Sequence, residues 1–110
     1  MIQSVVRPEK VHEVMKALLD AGFPAVTKMD VFGRGKQRGL KVGEITYDEL
    51  PKEQLLMVVA DADKDLAVET ILKSARTGDK GTFGDGKIFV LPIEEAVRVR
   101  TNERGAAALA

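Results

Sequence analysis

The segment from Gly81 to Ile88, GTFGDGKI, has three glycines and a lysine in a pattern that could bind phosphate. A P-loop reads G-x-x-x-x-G-K followed by Ser or Thr, whose hydroxyl binds magnesium, and here that last position is Ile88. A P-loop also leaves a strand and enters a helix, whereas this pattern predicts a helix before the loop and a strand after it. The sequence therefore excludes a Walker-type site. Two interpretations remain: a turn that needs positive φ angles, and an anion site made of backbone amides and Lys87.

Two further segments carry cationic side chains on irregular backbone. FGRGKQRG, from Phe32 to Gly39, combines three glycines with three cationic residues and no acidic one. Arg98 and Arg100 lie two residues apart in VRVRT, so an extended backbone would place both guanidiniums on one face, where each can bind a phosphate bidentately. Each segment alone is typical of a solvated surface. Together with the glycine loop they predict that the protein holds an anion.

The composition excludes several classes of function. The 110 residues include no cysteine, so disulfides and thiolate metal sites are excluded, and the one histidine, His12, is too few for a zinc site built on histidines. Lys+Arg and Asp+Glu number 17 each, so no overall charge favours nucleic acid. No apolar run approaches the length of about 20 residues that spans a bilayer, and no signal peptide opens the chain, so we expect a cytoplasmic protein without membrane insertion. No nucleophile–base pair or metal cluster is evident, so we expect a protein that is not an enzyme.

The secondary-structure elements that must position these segments follow the order strand, helix, strand, and this order occurs twice along the chain. A strand (IQSVV), a helix (PEKVHEVMKALLDAG) and a strand (AVTKMDV) are followed by a strand buried on both faces (LLMVVA), a helix (DADKDLAVETILKSARTG) and a strand (KIFVL). Two such units predict an α+β, ferredoxin-like fold, in which two helices cover one face of a four-stranded antiparallel sheet. The residues expected to face the core from the helices are Val11, Val14, Met15, Leu18, Leu19, Leu66, Ile71, Leu72 and Ala75.

Two connecting segments are longer than this fold requires. Residues 33–52 form a long insertion between the second and third strands, and residues 78–86 form the glycine-rich loop before the last strand. Loops longer than about 12–15 residues in a compact domain are usually functional or disordered, so these segments are the candidate sites. AVRVRT is expected to add a short edge strand, and residues 104–110 to form a flexible tail.

The closing segment resembles a known family. RTGDKGTFGDGKIFVLPIEEAVRVRTNE is similar to the signature of the PII nitrogen-signalling family, which runs T-G-x-x-G-D-G-K-I-F-V and then R-I-R-T-G-E. VVRPEKV, TKMDVFGRGKQRG and ELPKEQLLMVV resemble its opening strand, the base of its T-loop and its return strand. The resemblance covers residues 1–103, and DVFGRGKQRG with YDELPK and LLMVV is most similar to the NifI branch, which controls nitrogenase in methanogens and some anaerobic bacteria.

The resemblance implies a trimeric assembly, either a homotrimer or a heterohexamer with a paralogue, that binds ATP or ADP in the clefts between subunits. The T-loop would span about 35–50, the B-loop about 78–87 and the C-loop about 98–104. Arg98 and Arg100 would reach the phosphates from the neighbouring subunit, and Val5, Thr27 and Val58 would line the adenine and ribose pocket. The other nucleotide-binding residues implied are Gly33, Gly35, Lys36, Gln37, Gly84, Asp85, Gly86 and Lys87.

The resemblance also implies an effector and a target. Gln37 would help hold Mg²⁺ together with ATP, 2-oxoglutarate would chelate that ion, and Lys52 would pair with a carboxylate of 2-oxoglutarate; oxygen ligands suit a hard cation. The T-loop would contact dinitrogenase. The alternatives are a general PII protein that regulates an ammonium transporter or another nitrogen-metabolism target, a hydrolase or transferase with Asp85 as general base, and a metabolite sensor without nucleotide.

The sequence departs from the family pattern at three places. Lys36 replaces the arginine that usually precedes the glutamine, and a lysine cannot form the same bidentate contact. The B-loop is longer and the T-loop shorter than is usual. Tyr47 does not align with the family's uridylylated tyrosine, so the sequence does not predict that modification.

Overall fold

The computed structural model describes residues 1–34, 41–42, 45–46 and 49–109. Two helices and six strands occur in this part of the chain, together with short 3₁₀ helices at Pro8–Lys10, Asp61–Asp63 and Gly105–Leu109. In chain order the elements are β1 (Ile2–Val6), α1 (Val11–Asp20), β2 (Thr27–Gly33), β3 (Lys41–Val42), β4 (Ile45–Thr46), β5 (Leu50–Met57), α2 (Lys64–Ala75) and β6 (Gly86–Val90).

The main sheet has the strand order β2-β5-β1-β6, and every neighbouring pair is antiparallel. In the middle of the sheet, Ile2 lies opposite Met57 on one side and Val90 on the other, and Val6 lies opposite Glu53 and Gly86. β3 and β4 form a separate two-stranded sheet within the long insertion. This topology confirms the predicted ferredoxin-like α+β fold with a four-stranded antiparallel sheet.

The core lies between the sheet and both helices. Ile2 and Val6 alternate with half-buried residues along β1, as expected for a strand that packs on one face. Val11, Val14 and Leu18 share one face of α1 and are buried against them. The helix ends where Gly22 takes a φ of 98°, and the amide of Gly22 donates to the carbonyl of Leu19.

Three leucines predicted to face the core are exposed instead. Leu19 is 58% exposed, Leu66 53% and Leu72 37%. In α2 the buried positions are Ala67, Ile71 and Ala75, spaced four residues apart along one face, and Leu66 and Leu72 lie beside this stripe. The buried stripe of α2 runs through Ala67, Ile71 and Ala75, so the two leucines lie outside the face that packs on the core.

The third long strand is longer and less buried than the sequence indicates. β5 begins at Leu50, and it pairs with β2 over the full length from Thr27 to Gly33. Leu55 and Met57 are buried, whereas Leu56 between them is only half-buried, so the prediction of burial on both faces is wrong for a single chain. The face of the sheet that carries Leu56 is the one that the helices do not cover.

The C-terminal segment forms a turn rather than the expected edge strand. Val97 and Arg104 form an isolated bridge, and the chain reverses between them with Asn102 at a φ of 63°. Gly105–Leu109 then forms a 3₁₀ helix within the segment expected to be a flexible tail. In the ranges that the structure describes, neither long helix has the length and hydropathy needed to cross a membrane.

Candidate functional site

The glycine loop connects the end of α2 at Ala75 to the start of β6 at Gly86, so its order is helix, loop and strand as predicted. Gly84 has a φ of 96° and Gly86 a φ of 111°. A Cβ atom on Gly86 would lie 1.7 Å from the carbonyl oxygen of Val5 on the neighbouring strand. Only glycine fits this position, because its backbone approaches β1 too closely for any side chain. The need for positive φ angles is therefore confirmed.

Asp85 organises the loop through three hydrogen bonds. The backbone amides of Thr77 and Thr82 donate to its Oδ2 at 2.9 and 2.8 Å, and Arg7 Nε donates to its Oδ1 at 2.9 Å. Burial disfavours the charged form, but these hydrogen bonds outweigh it and hold the pKa of Asp85 well below its usual range. The carboxylate therefore stays ionised at neutral pH and joins both ends of the loop to β1.

Arg7 and Lys52 hold the loop from the neighbouring strands. Arg7 Nη2 donates to the carbonyl oxygen of Phe83 at 2.6 Å, and Lys52 Nζ donates to the carbonyl oxygen of Gly84 at 2.5 Å. Burial lowers the pKa of Lys52, and the charge of Arg7 lowers it further. The amide of Asp85, on the far side of the Gly84 carbonyl, donates to the carbonyl of Thr82 at 3.1 Å, so both groups of this peptide bond are used within the loop.

Arg7 is a site residue that the sequence motifs do not identify. It directly follows β1, and β1 pairs with β6, so the register carries its side chain to the loop that precedes β6. The contact with Asp85 spans 78 positions of sequence. A signal was present, because a cation directly after one strand and a carboxylate directly before its antiparallel neighbour are expected to meet at the same sheet edge.

Several predicted residues come together at this end of the sheet, which we call the loop end. Lys87 lies opposite Val5 on β1. On the other side, a Cβ on Gly33 would lie 3.8 Å from the Cγ atom of Lys52. The loop end thus comprises Val5, Gly33, Lys52 and the run 84–87, with Arg7 added by the structure. The cations Arg7, Lys52 and Lys87 outnumber the carboxylates of Asp85 and of Glu9, whose Oε1 lies 3.8 Å from Arg7 Nη1, and this balance suits an anion.

Thr27 and Val58 lie at the opposite end of the sheet. We call this the cavity end, because a cavity of about 280 Å³ lies where β5 stops. Thr27 faces Leu56 across the β2–β5 pair, and Val58 directly follows β5. Val5 faces Gln54, four residues before Val58. At about 3.4 Å per residue the two valines are roughly 14 Å apart along the strands. One chain therefore does not bring Val5 and Val58 to one pocket.

Arg98 and Arg100 lie in the turn of the C-terminal segment. Arg98 Nη1 donates to Glu103 Oε1 at 2.9 Å, and the Arg98 amide donates to the Glu103 carbonyl at 2.9 Å. Arg100 is exposed. The expectation that an extended backbone aligns both guanidiniums is wrong, because the chain turns at residues 99–101. This segment continues into the 3₁₀ helix that borders the cavity end.

Four residues singled out in the sequence, Gly35, Lys36, Gln37 and Tyr47, lie outside the described residues. Within the described ranges, no group of three or more His, Cys, Asp or Glu side chains could hold a metal ion. Asp85 is poorly suited to act as a general base, because its oxygens already accept three hydrogen bonds and its lowered pKa makes it a weak proton acceptor. The geometry gives Asp85 a structural role.

The fold is a ferredoxin-like subunit that carries a cation-lined glycine loop and a long insertion between its second and third long strands. The family model described as Nitrogen regulatory protein P-II matches residues 1–103. The chain belongs to this PII family, and the resemblance drawn from the sequence is confirmed.

Relatives and a solved structure agree with this assignment. The chain is 55% identical over 105 residues to the "Nitrogen fixation nifHD region GlnB-like protein 1" of Methanothermobacter marburgensis, covering 96% of this chain and 97% of that protein. It is 54% identical to the protein of the same description from Methanococcus maripaludis, with the same coverage of both chains. The crystal structure of Arabidopsis thaliana PII bound to citrate matches with a TM-score of 0.80 and 37% identity, covering 98% of this chain and 86% of that one. The similarity to NifI-type nitrogen regulators is therefore confirmed.

Proposed function

We propose that this protein is a cytoplasmic regulatory sensor that binds ATP or ADP in clefts between subunits and controls nitrogenase through its T-loop. The observation that carries the proposal is the separation of the site into two ends of one sheet. The loop end offers amides and cations to phosphates, and the cavity end, roughly 14 Å away along the strands, offers apolar walls to a base. A single nucleotide that uses both kinds of surface lies between the loop end of one subunit and the cavity end of the next.

This arrangement accounts for the C-terminal arginines. They belong to the segment that borders the cavity end, so they enter the cleft from the subunit that supplies Thr27 and Val58. A guanidinium can bind a phosphate bidentately, and Arg98 and Arg100 then neutralise phosphates held on the neighbouring loop. The assembly is a homotrimer or a heterohexamer with a paralogue.

The effector acts through Lys52 and the T-loop. Lys52 Nζ bonds to the carbonyl oxygen of Gly84, so a carboxylate of 2-oxoglutarate that pairs with Lys52 also changes the contacts of the phosphate loop. Mg²⁺, held by ATP, 2-oxoglutarate and Gln37, joins the two ligands to the T-loop. The two ligands then favour one T-loop state, because a ligand shifts an equilibrium only through different affinities for its states.

The first test is a calorimetric titration of ATP in the presence of Mg²⁺, with and without 2-oxoglutarate. We expect ATP to bind more tightly with 2-oxoglutarate, and equal affinities would contradict the coupling. Lys52→Ala should remove this difference, because no ammonium remains to pair with the effector. Lys73→Ala, which removes an exposed lysine from the last turn of α2, is the control and should behave as the unchanged protein does.

The target is tested by affinity capture with purified dinitrogenase. The relatives named for the nifHD region favour nitrogenase as the target. A relative that is 46% identical is named "Nitrogen regulatory protein P-II 2", so a broader role in nitrogen metabolism is the second candidate. We expect capture that is lost when ATP and 2-oxoglutarate are added together. Failure to capture dinitrogenase under either condition would favour an ammonium transporter or another nitrogen-metabolism target.

A further inference from the structure

A cavity of about 280 Å³ lies at the cavity end of the sheet, on the side where β5 stops. Apolar side chains form most of its wall. They come from the segment before β2, from the end of β5 and from the C-terminal 3₁₀ helix: Ala25, Met57, Val58, Val59, Ala106 and Leu109. Small-molecule sites of this kind range from about 300 Å³ upward for complete drug-sized ligands, so this volume suits a flat ring system better than a whole nucleotide.

The charge of the cavity indicates which end of a nucleotide it takes. Asp63 lies in the wall, and none of the described residues that line the cavity is cationic. Its side chain makes no capping hydrogen bond at the start of α2. The carboxylate of Asp63 repels phosphate but accepts a hydrogen bond from an amino group. The base end of an adenine nucleotide has such an amino group, whereas the phosphates match the loop end.

The C-terminal 3₁₀ helix is held at this position by contacts on its N-terminal side. The amide of Gly105 donates to the carbonyl of Ala96 at 3.0 Å, and Arg104 Nη1 pairs with Glu95 Oε1 at 2.5 Å. Leu109 is half-buried, whereas Ala107 is exposed and does not line the cavity. The helix therefore presents Leu109 to the cavity and leaves most of the volume open.

We propose that the C-terminal 3₁₀ helix forms one wall of the base pocket, with Leu109 and Ala106 packing against the purine. The inference rests on the proposed nucleotide function and adds two residues to it, both outside the 1–103 segment that the family model matches. The same segment carries Arg98 and Arg100, so one stretch of chain contacts the base through its end and the phosphates through its turn. The tail thereby links recognition of the base to that of the phosphates.

The test compares ADP with inorganic tripolyphosphate, which lacks the base, by calorimetry on full-length variants. Leu109→Asp should weaken ADP binding about tenfold, equivalent to about 1.4 kcal/mol, and leave tripolyphosphate binding unchanged. Ala107→Asp places the same charge on the same helix away from the cavity and should leave both affinities unchanged. Ala106→Leu, which narrows the cavity without adding charge, should also weaken ADP alone.

Three results would overturn the inference, and they separate it from the proposed function. Leu109→Asp and Ala106→Leu variants that bind ADP as the unchanged protein does would remove the helix from the pocket and leave the nucleotide function standing. Equal losses for ADP and tripolyphosphate would place the effect on the phosphate site. An unchanged protein that binds neither ADP nor ATP would overturn the nucleotide function and the inference together.

Discussion

Replacing Asp85 with asparagine removes one charge from the glycine loop and keeps the size of the side chain. The remaining oxygen can still accept hydrogen bonds from the amides of Thr77 and Thr82. The new side-chain amide faces Arg7 Nε, so two hydrogen-bond donors oppose each other in place of the ion pair. The side chains of Arg7 and Asp85 are only 20% and 18% exposed, so water compensates little. A hydrogen bond between charged groups contributes about 1.5–3 kcal/mol. We therefore expect Asp85→Asn to lower the free energy of unfolding by about 2–3 kcal/mol at pH 7.

The lowered pKa of Asp85 predicts how this loss of stability changes with pH. Folding lowers the pKa of Asp85, so its contribution to stability is complete above the unfolded pKa of about 3.9 and is lost as the pH falls toward the folded pKa. The stability difference between the unchanged protein and Asp85→Asn should be constant from about pH 5 to 8 and shrink below about pH 4. Asparagine does not titrate, so the difference isolates this one carboxylate.

The assay is urea unfolding followed by circular dichroism at pH 7 and pH 3, at one protein concentration because assembly also contributes to stability. Asp79→Asn is the matched control, since Asp79 is exposed in the same loop. We expect the control to change stability by less than about 0.5 kcal/mol. Equal stability of Asp85→Asn and the unchanged protein at pH 7, or a difference that grows as the pH falls, would refute the role given to the Arg7–Asp85 pair.

Three further substitutions test the sheet around the site. Gly86→Ala should cost about 3 kcal/mol or more in urea unfolding, because its Cβ would collide with the carbonyl of Val5; a small loss would contradict the close approach. Ser4→Ala should raise the free energy of unfolding by about 1 kcal/mol, because the buried Ser4 hydroxyl has no hydrogen-bond partner among the residues that the structure describes; a loss of stability would reveal one. A hydrogen bond with Asp30 raises the pKa of Glu53, so its ionisation destabilises the fold as the pH rises through that pKa. Glu53→Gln should therefore raise Tm at pH 7 but not at pH 4. An equal rise in Tm at both pH values would show that the ionisation of Glu53 is not the cause.

Local patterns determined the order of the elements and the position of the candidate loop. The spacing of Val11, Val14 and Leu18 predicted the buried face of α1, because helical periodicity follows from the backbone alone. The glycines of the loop predicted positive φ angles for the same local reason, and Gly84 and Gly86 adopt them. The closing signature predicted the PII family, since it combines residue types and spacing over a long stretch.

The tertiary structure decided which residues meet. Arg7 and Asp85 are joined by the β1–β6 register, which sequence spacing cannot show because it depends on how distant strands pair. The β1–β5 register puts Val5 and Val58 at opposite ends of the sheet, so one chain does not bring these two residues into one pocket. Leu109 forms part of a cavity wall only because the chain turns back after Val97. Periodicity is a property of neighbours along the chain, whereas a site is made of neighbours in space.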